Sequence, residues 1–207
     1  MKSKRLILII IVLVLTLLVV NFTNNCINNT IIKNSKVNIV EELNKNFDDA
    51  IKEINQIKVD SVENINIKDN SRLKEKLGNV IGKIVIDKLN LNYPILEGST
   101  EENLNISITR FYGSKINNIG NCVLAGHNMK DGSLFGRLSE VSKGDNISLY
   151  DSLGNKINYK VFNIIVVNPK ELSILSQETK NSRWITLITC TVYGNNRLIV
   201  QAKECSY

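Results

Sequence analysis

Two periods of hydrophobic and polar positions divide this chain. Before residue 77 the apolar residues follow a helical spacing, and after it they follow short stretches of period two. Val40, Leu43, Phe47, Ala50, Ile54 and Ile57 are separated by 3, 4, 3, 4 and 3 positions. That spacing predicts one apolar face of a helix over residues 38–58, with Asn38 as its cap. The segment holds under three heptads, too few to claim a coiled coil. A single helix lying against a domain, or spanning the gap to a membrane, fits better. The polar, Asn-rich run from Asn21 to Lys36 suits a spacer, and the polar run from Val59 to Lys76 suits a linker.

From Gly78 to Ile86 the alternation predicts a strand. Leu91 to Ile95 predicts a second, whose Pro94 argues for an edge or an end. Thr100 is placed to cap a short helix with Glu101 and Glu102 in its first turn. Asn121 to Gly126 reads as a buried strand ending at His127, and Ser133 to Leu138 as one or two helical turns. Asn146 to Tyr150 and Lys156 to Val167 predict a hairpin across Asp151–Asn155. Asn168 to Ser182 reads as a loop with at most one helical turn. Trp184 to Thr189 and Arg197 to Lys203 are the last two strands. Many short strands with few long helices predict a closed or nearly closed β-barrel.

The first segment changes this picture. Leu6 to Val20 carries no charge and one polar residue, Thr16, and it follows Lys2, Lys4 and Arg5. A basic start before an apolar run is a signal peptide or a membrane anchor. No small-x-small cleavage site follows, which favours an uncleaved anchor. Fifteen residues rise only about 22 Å against a hydrocarbon core of about 30 Å, so flanking residues must help. The basic end then stays cytoplasmic and the rest faces outward. The expected organisation is a basic end at 1–5, a transmembrane anchor at 6–22, a spacer and amphipathic helix at 23–76, and a barrel at 77–207. Localisation follows as single-pass in the cell membrane.

Charge and cysteine usage narrow the function. Net charge is +6, and 23 basic residues face 20 acidic ones once the three N-terminal cations are set aside. No basic block with interleaved aromatics stands out, so nucleic-acid binding gains no support. The four cysteines, at 26, 122, 190 and 205, form no Cys-x-x-Cys, and one histidine cannot build a His-rich metal site. No metal or cofactor is expected. Cys122 sits in an apolar run and reads as a packed core residue; a Cys122–Cys205 bridge stays open.

Strand parity singles out two other residues. If Leu187 faces the core, Cys190 points the other way, with Thr186. In the last strand Leu198, Val200 and Ala202 form the apolar face, so Arg197 and Gln201 point outward. Pairing the two strands through Thr191–Asn196 puts Cys190 and Arg197 on a common outer face. A thiol at neutral pH is mostly protonated and needs a neighbouring cation to become thiolate. His127, the single histidine, can supply one and can protonate a leaving amine. Arg197 keeps its proton and can only donate, to a substrate carbonyl or a developing oxyanion. Taken singly, each residue also has a plain structural reading: a packed cysteine, a structural histidine, a solvated arginine.

Thr186-Leu187-Ile188-Thr189-Cys190, with Arg197 opening the next strand and His127 upstream, resembles the signature of the sortases. These are membrane-anchored cysteine transpeptidases of Gram-positive bacteria. The resemblance runs from about Leu77 to Lys203, and Tyr93-Pro94-Ile95-Leu96-Glu97-Gly98 is similar to the segment before the family's first helix. It implies an eight-stranded β-barrel with Cys190 as nucleophile, His127 as acid/base and Arg197 as substrate and oxyanion contact. Thr189 and Asn128, beside them, are read as substrate-binding. The implied partners are secreted proteins with C-terminal sorting signals and an amine from a lipid II-type cell-wall precursor or a pilin. Gly126 to Phe135 resembles class B sortases, yet the loop from Asn168 to Ser182, which lines the sorting-signal groove in the family, is short and closer to class A or D; class B or D is the reading taken. The family's pilin-polymerising class C is disfavoured, because no Asp-Pro-aromatic lid precedes the barrel. Calcium, used by some class A members, finds no acidic cluster.

Papain-like peptidases place Cys before His, and L,D-transpeptidases use a Ser-His-Gly-Cys motif that is absent here. A non-catalytic, membrane-tethered barrel that only docks partners is the remaining alternative, and the full Cys190, His127 and Arg197 set argues against it.

Overall fold

The computed structural model describes residues 2–60 and 79–205, with side chains from Val14 to Gln56 and from Asn79 to Cys205. The chain forms two compact units, Met1–Ile39 and Val40–Tyr207. Helix α1 is Lys2–Asp60. The run from Asn21 to Lys36, expected to be a spacer, is therefore helical, and Asn38 lies inside the helix instead of capping it. The physical reason is local. No Gly or Pro occurs before Gly78, and an ordinary residue costs at most about 0.7 kcal/mol of helix propensity. Hydroxyls of Thr23, Thr30 and Ser35 also bond back to carbonyls three or four residues earlier, as such side chains do within helices.

In the first unit Val14 to Val20, apart from Thr16, is an exposed apolar run. Among the described residues no helical stretch is long and apolar enough to cross a membrane. The side chains of the first part of the apolar run, Leu6 to Leu13, lie outside the described set. Of the linker expected to end at Lys76, all beyond Asp60 lies outside the described residues.

In the second unit the predicted face of α1 is used. Phe47 and Ala50 are buried with Val80 and Leu96, and Leu43 and Ile51 pack at the margin. Burying each large side chain stabilises the unit by about 1.5–3 kcal/mol. Lys83 pairs with Asp48 and lies 5.5 Å from the Phe47 ring centre and 5.3 Å from that of Tyr150.

Eight strands close a barrel: β1 (Val80–Ile86), β2 (Leu91–Glu97), β3 (Ile108–Gly113), β4 (Gly120–Ala125), β5 (Asn146–Asp151), β6 (Lys156–Val167), β7 (Arg183–Cys190) and β8 (Arg197–Glu204). Their order around the barrel is β1-β2-β3-β4-β7-β8-β6-β5, with β5 returning to β1. Two of the pairings are parallel, β2 with β3 and β4 with β7. The interior is filled by side chains such as Ile84, Ile95, Leu124, Leu149, Leu187 and Val200. Helix α2, Glu101–Ile106, is capped by Thr100, whose hydroxyl accepts from the Asn103 amide at 3.2 Å.

Most predicted elements appear, and three details differ. Strand β3 has no counterpart in the sequence reading. Ser133 to Leu138 forms turns, with a 3-10 helix at Leu138–Glu140. Strand β2 is paired on both sides, but Pro94 faces only Lys83 of β1, and pairing to β3 begins at Ile95. The missing N–H of Pro94 thus falls where no second strand needs it. All four cysteines are free thiols, which closes the Cys122–Cys205 alternative.

Candidate active site

The parallel pairing of β4 with β7 builds the site. Ala125 stands level with Ile188, so both strands deliver their following residues to the same rim. The Gly126 amide donates to the Ile188 carbonyl at 3.2 Å. The Thr189 hydroxyl donates to the Gly126 carbonyl at 2.7 Å. His127 and Cys190 follow these stitches directly. Strand β8 then enters antiparallel to β7, with Arg197 the register partner of Cys190. His127, Cys190 and Arg197 all line one cleft of about 390 Å³. The parity expectation thus holds: Ile185 and Leu187 face the core, and Cys190 ends the opposite, outward row.

Each group is held by its neighbours. The Asn128 side-chain amide donates to the Cys190 carbonyl at 2.7 Å. This ties the residue after His127 to the end of β7. Gly126 has no room for a side chain, since a Cβ there would meet Ile108 Cδ1 at 2.6 Å and Phe135 Cδ2 at 2.8 Å. The segment after His127 curls back on itself. The Phe135 amide donates to the His127 carbonyl at 3.0 Å, and the Leu134 amide to the Tyr93 hydroxyl at 3.2 Å. Gly136 packs its Cα against backbone, with a Cβ there falling 2.2 Å from the Met129 carbonyl. The histidine segment is therefore fixed at both ends, on β7 and on β2.

Arg197 donates through Nη1 to the carbonyls of Gly194 and Asn196, both at 3.2 Å. No carboxylate pairs with it among the described residues, so its charge is left for whatever enters the cleft. Cys190 is half-buried and lines the cleft. Cys122, one strand away, differs: burial pushes its thiol up to about 12, against a smaller lowering by Arg110. Among the described residues no group of three or more His, Cys, Asp or Glu side chains gathers as a metal site would.

The structure gives Thr189 and Asn128 roles within the fold. Thr189 lines the cleft, but its hydroxyl is buried and used by Gly126. Asn128 uses its amide on Cys190. Of the remaining lining, the 168–182 loop was expected only by resemblance, and its individual residues and those before β4 went unread in the sequence. Ser99, Leu104 and Phe111 line the cleft, as do Leu172, Ile174 and Leu175 of the loop. Leu172 is a 68% exposed leucine in a polar loop, and that mismatch was the available signal. A second one was Asn121, a polar residue inside an apolar run, which a buried strand must hydrogen-bond.

Comparison with known proteins places this arrangement. The sortase domain family matches residues 84–205, more than half the chain. Sortase A of Bacillus anthracis is 38% identical over 127 residues, covering 60% of this chain and 59% of that protein. Sortase A of Listeria monocytogenes is 38% identical over 112 residues, 54% of this chain and 49% of its own length. The chain thus spans about half the length of these curated relatives. Sortase D of Bacillus subtilis is 29% identical over 143 residues, 66% of this chain and 70% of that protein. Among solved structures, a Clostridium perfringens sortase D5 transpeptidase superposes with a TM-score of 0.60 at 25% identity, covering 78% of this chain and 99% of that one. By this match of sequence and barrel, the chain belongs to the sortase family.

Proposed function

We propose that this chain is a cysteine transpeptidase that cleaves a C-terminal sorting signal and transfers the new acyl end to an amine. The observation that carries this reading is the register pair Cys190 and Arg197 at the rim that also receives His127, all on one apolar-walled cleft. The Cys190 thiolate attacks the carbonyl carbon of a Thr–Gly-type bond, and the carbonyl electrons move to oxygen. Arg197 donates to that oxyanion. His127 gives its proton to the leaving amine as the C–N bond breaks. A thioacyl-enzyme remains. An incoming amine attacks it, His127 takes the amine's proton, and the thiolate leaves. One peptide bond is exchanged for another with no external energy source.

The acceptor is an amine of a lipid II-type cell-wall precursor or of a pilin, and the donor is a secreted protein. The exposed apolar run at Val14–Val20, continuous in sequence with Leu6, supports a single-pass anchor that leaves the barrel outside the cell. Enzyme, secreted substrate and lipid-linked acceptor then share one surface, which raises their effective concentration. The class B-like histidine segment and the compact loop before β7 support class B or D. That loop holds one 3-10 turn, Ser173–Leu175, where class B members carry a long helix, which brings it closer to class A or D.

Mass spectrometry of the protein after exposure to a sorting-signal peptide library tests the chemistry. An acyl adduct on Cys190, absent in Cys190→Ala, is the expected result. Peptide cleavage retained by Cys190→Ala sinks the assignment. Membrane fractionation of the full chain against a chain lacking residues 2–22 tests the anchor.

A further inference from the structure

A row of polar side chains crosses the outside of the barrel beneath the cleft wall. Asn163 of β6 donates through Nδ2 to Gln201 Oε1 of β8 at 3.0 Å. Gln201 Nε2 lies 3.5 Å from Thr186 Oγ1 of β7. Thr186 donates to Asn121 Oδ1 of β4 at 2.8 Å. Asn121 Nδ2 then donates to the carbonyls of Ile174 at 3.0 Å and Ser176 at 3.1 Å. Gln177 closes the junction: its Oε1 accepts from the Asn121 amide and its Nε2 donates to the Asn121 carbonyl, both at 3.0 Å. Cross-strand register puts Thr186 opposite Gln201, and Gln201 opposite Asn163.

The direction of this row is uniform. Gln201, Thr186 and Asn121 each donate toward the loop and accept from the strand behind, so the bonds polarise one another. The row ends on the segment that supplies Ile174 and Leu175 to the cleft. Asn121 and Thr186 are both buried, and neither lines the cleft. On Asn121 both amide hydrogens and the carbonyl oxygen are in use. The loop's other hydrogen bonds are mostly local, such as Leu175 to Leu172 and Thr179 to Ser182, and its end is tied to β4 by the Gly120 amide donating to the Ser182 carbonyl at 3.1 Å. The loop is a 15-residue connection, 168–182, with one 3-10 turn, and Leu172 within it is exposed.

We infer that Asn121 is a positioning residue that sets the loop wall of the cleft, and through it the fit of the peptide substrate, without touching substrate itself. The inference rests on the reading of the cleft as a peptide groove. Loss of the Asn121 side chain frees Ile174 and Ser176 together with the end of the row. Since each lost buried hydrogen bond is worth up to about tenfold in an equilibrium, a loosened wall weakens peptide capture. The nucleophile lies beyond the row, on stitches that Asn121 does not make.

The test pairs two readouts on the full chain. In Asn121→Ala, hydrogen exchange should quicken across residues 172–179 while β4 and β7 keep their protection. KM for a sorting-signal peptide should rise about tenfold, far more than kcat falls. Alkylation of Cys190 by iodoacetamide should proceed as in the parent protein. Thr186→Val should give a weaker form of the same pattern, and Thr186→Ser, which keeps the hydroxyl, should restore it. Unchanged exchange in the loop overturns the inference. So does a fall in kcat with unchanged KM, or equal effects of Thr186→Val and Thr186→Ser. If the parent protein acylates with no peptide, the transpeptidase reading fails, and the exchange comparison still decides whether Asn121 holds the wall.

Discussion

Two cysteines sit on neighbouring parallel strands in opposite surroundings. Cys122 points into the barrel with Leu124 and Ile185, and burial pushes its thiol up to about 12. Cys190 ends the adjacent strand on the outer row, half-buried, opposite an arginine with no carboxylate partner among the described residues. The same side chain is inert packing in one place and a candidate nucleophile in the other. The difference lies in strand parity and in what lies across the ladder.

The largest effect that can break this comparison is loss of one thiol or the other. Cys190→Ala should abolish turnover while the barrel keeps its circular dichroism spectrum. Cys122→Ala should retain turnover per folded molecule. The opposite outcome would exchange the two roles. Next in size, Arg197→Ala should lower kcat by about 10² to 10³, the usual cost of one oxyanion donor. His127→Ala should cost about 10² to 10⁴, in line with lost acid–base catalysis. Single-turnover acylation assays measure both, and an unaltered rate in either would remove that residue from the mechanism.

A smaller effect sharpens the rim side of the comparison. Gly126→Ala forces a methyl against Ile108 and Phe135. Overpacking of this kind costs about 1–3 kcal/mol. Urea denaturation should show that loss, and acylation should slow as His127 shifts. The smallest effect concerns the core side. The Cys122 thiol binds its proton more tightly folded than unfolded, so its contribution is complete below the unfolded value of about 8.5. It is lost as pH rises toward the folded value of about 12, at up to ~1.4 kcal/mol per pH unit. The buried Tyr159 phenol is raised as well, chiefly by burial. The measurement is therefore the difference between parent and Cys122→Ala in denaturation midpoint from pH 8 upward. Parallel curves would show that Cys122 is not buried in solution.

The rim was legible in the sequence because alternation is a rigid rule. Leu187 inward forces Cys190 outward, and a hairpin across six residues leaves Arg197 little freedom. The core role of Cys122 followed from its apolar neighbours in the same way. Strand β3 went unread because Arg110 and Thr109 interrupt any simple apolar pattern. Arg110 is held by Glu97 through two hydrogen bonds, and Thr109 by contacts to Ser99 and the Ala125 carbonyl. Both are tertiary matters. The unbroken helix α1 went unread for a related reason: an Asn-rich composition looks irregular, yet nothing in it stops a helix. The loop wall was the least legible part, since Asn121 and Gln177 are 56 residues apart in the chain and no local pattern links them.

The parallel ladder of β4 and β7 has a further consequence, in time instead of space. The proposed acid/base stands at residue 127, the proposed nucleophile at 190 and the proposed oxyanion donor at 197. As the chain is made, the histidine segment follows only the core thiol Cys122 on its own strand, and Cys190 emerges among the last residues of the barrel. The cleft completes only when β8 inserts between β6 and β7. Closing the barrel and completing the proposed catalytic set are then one event.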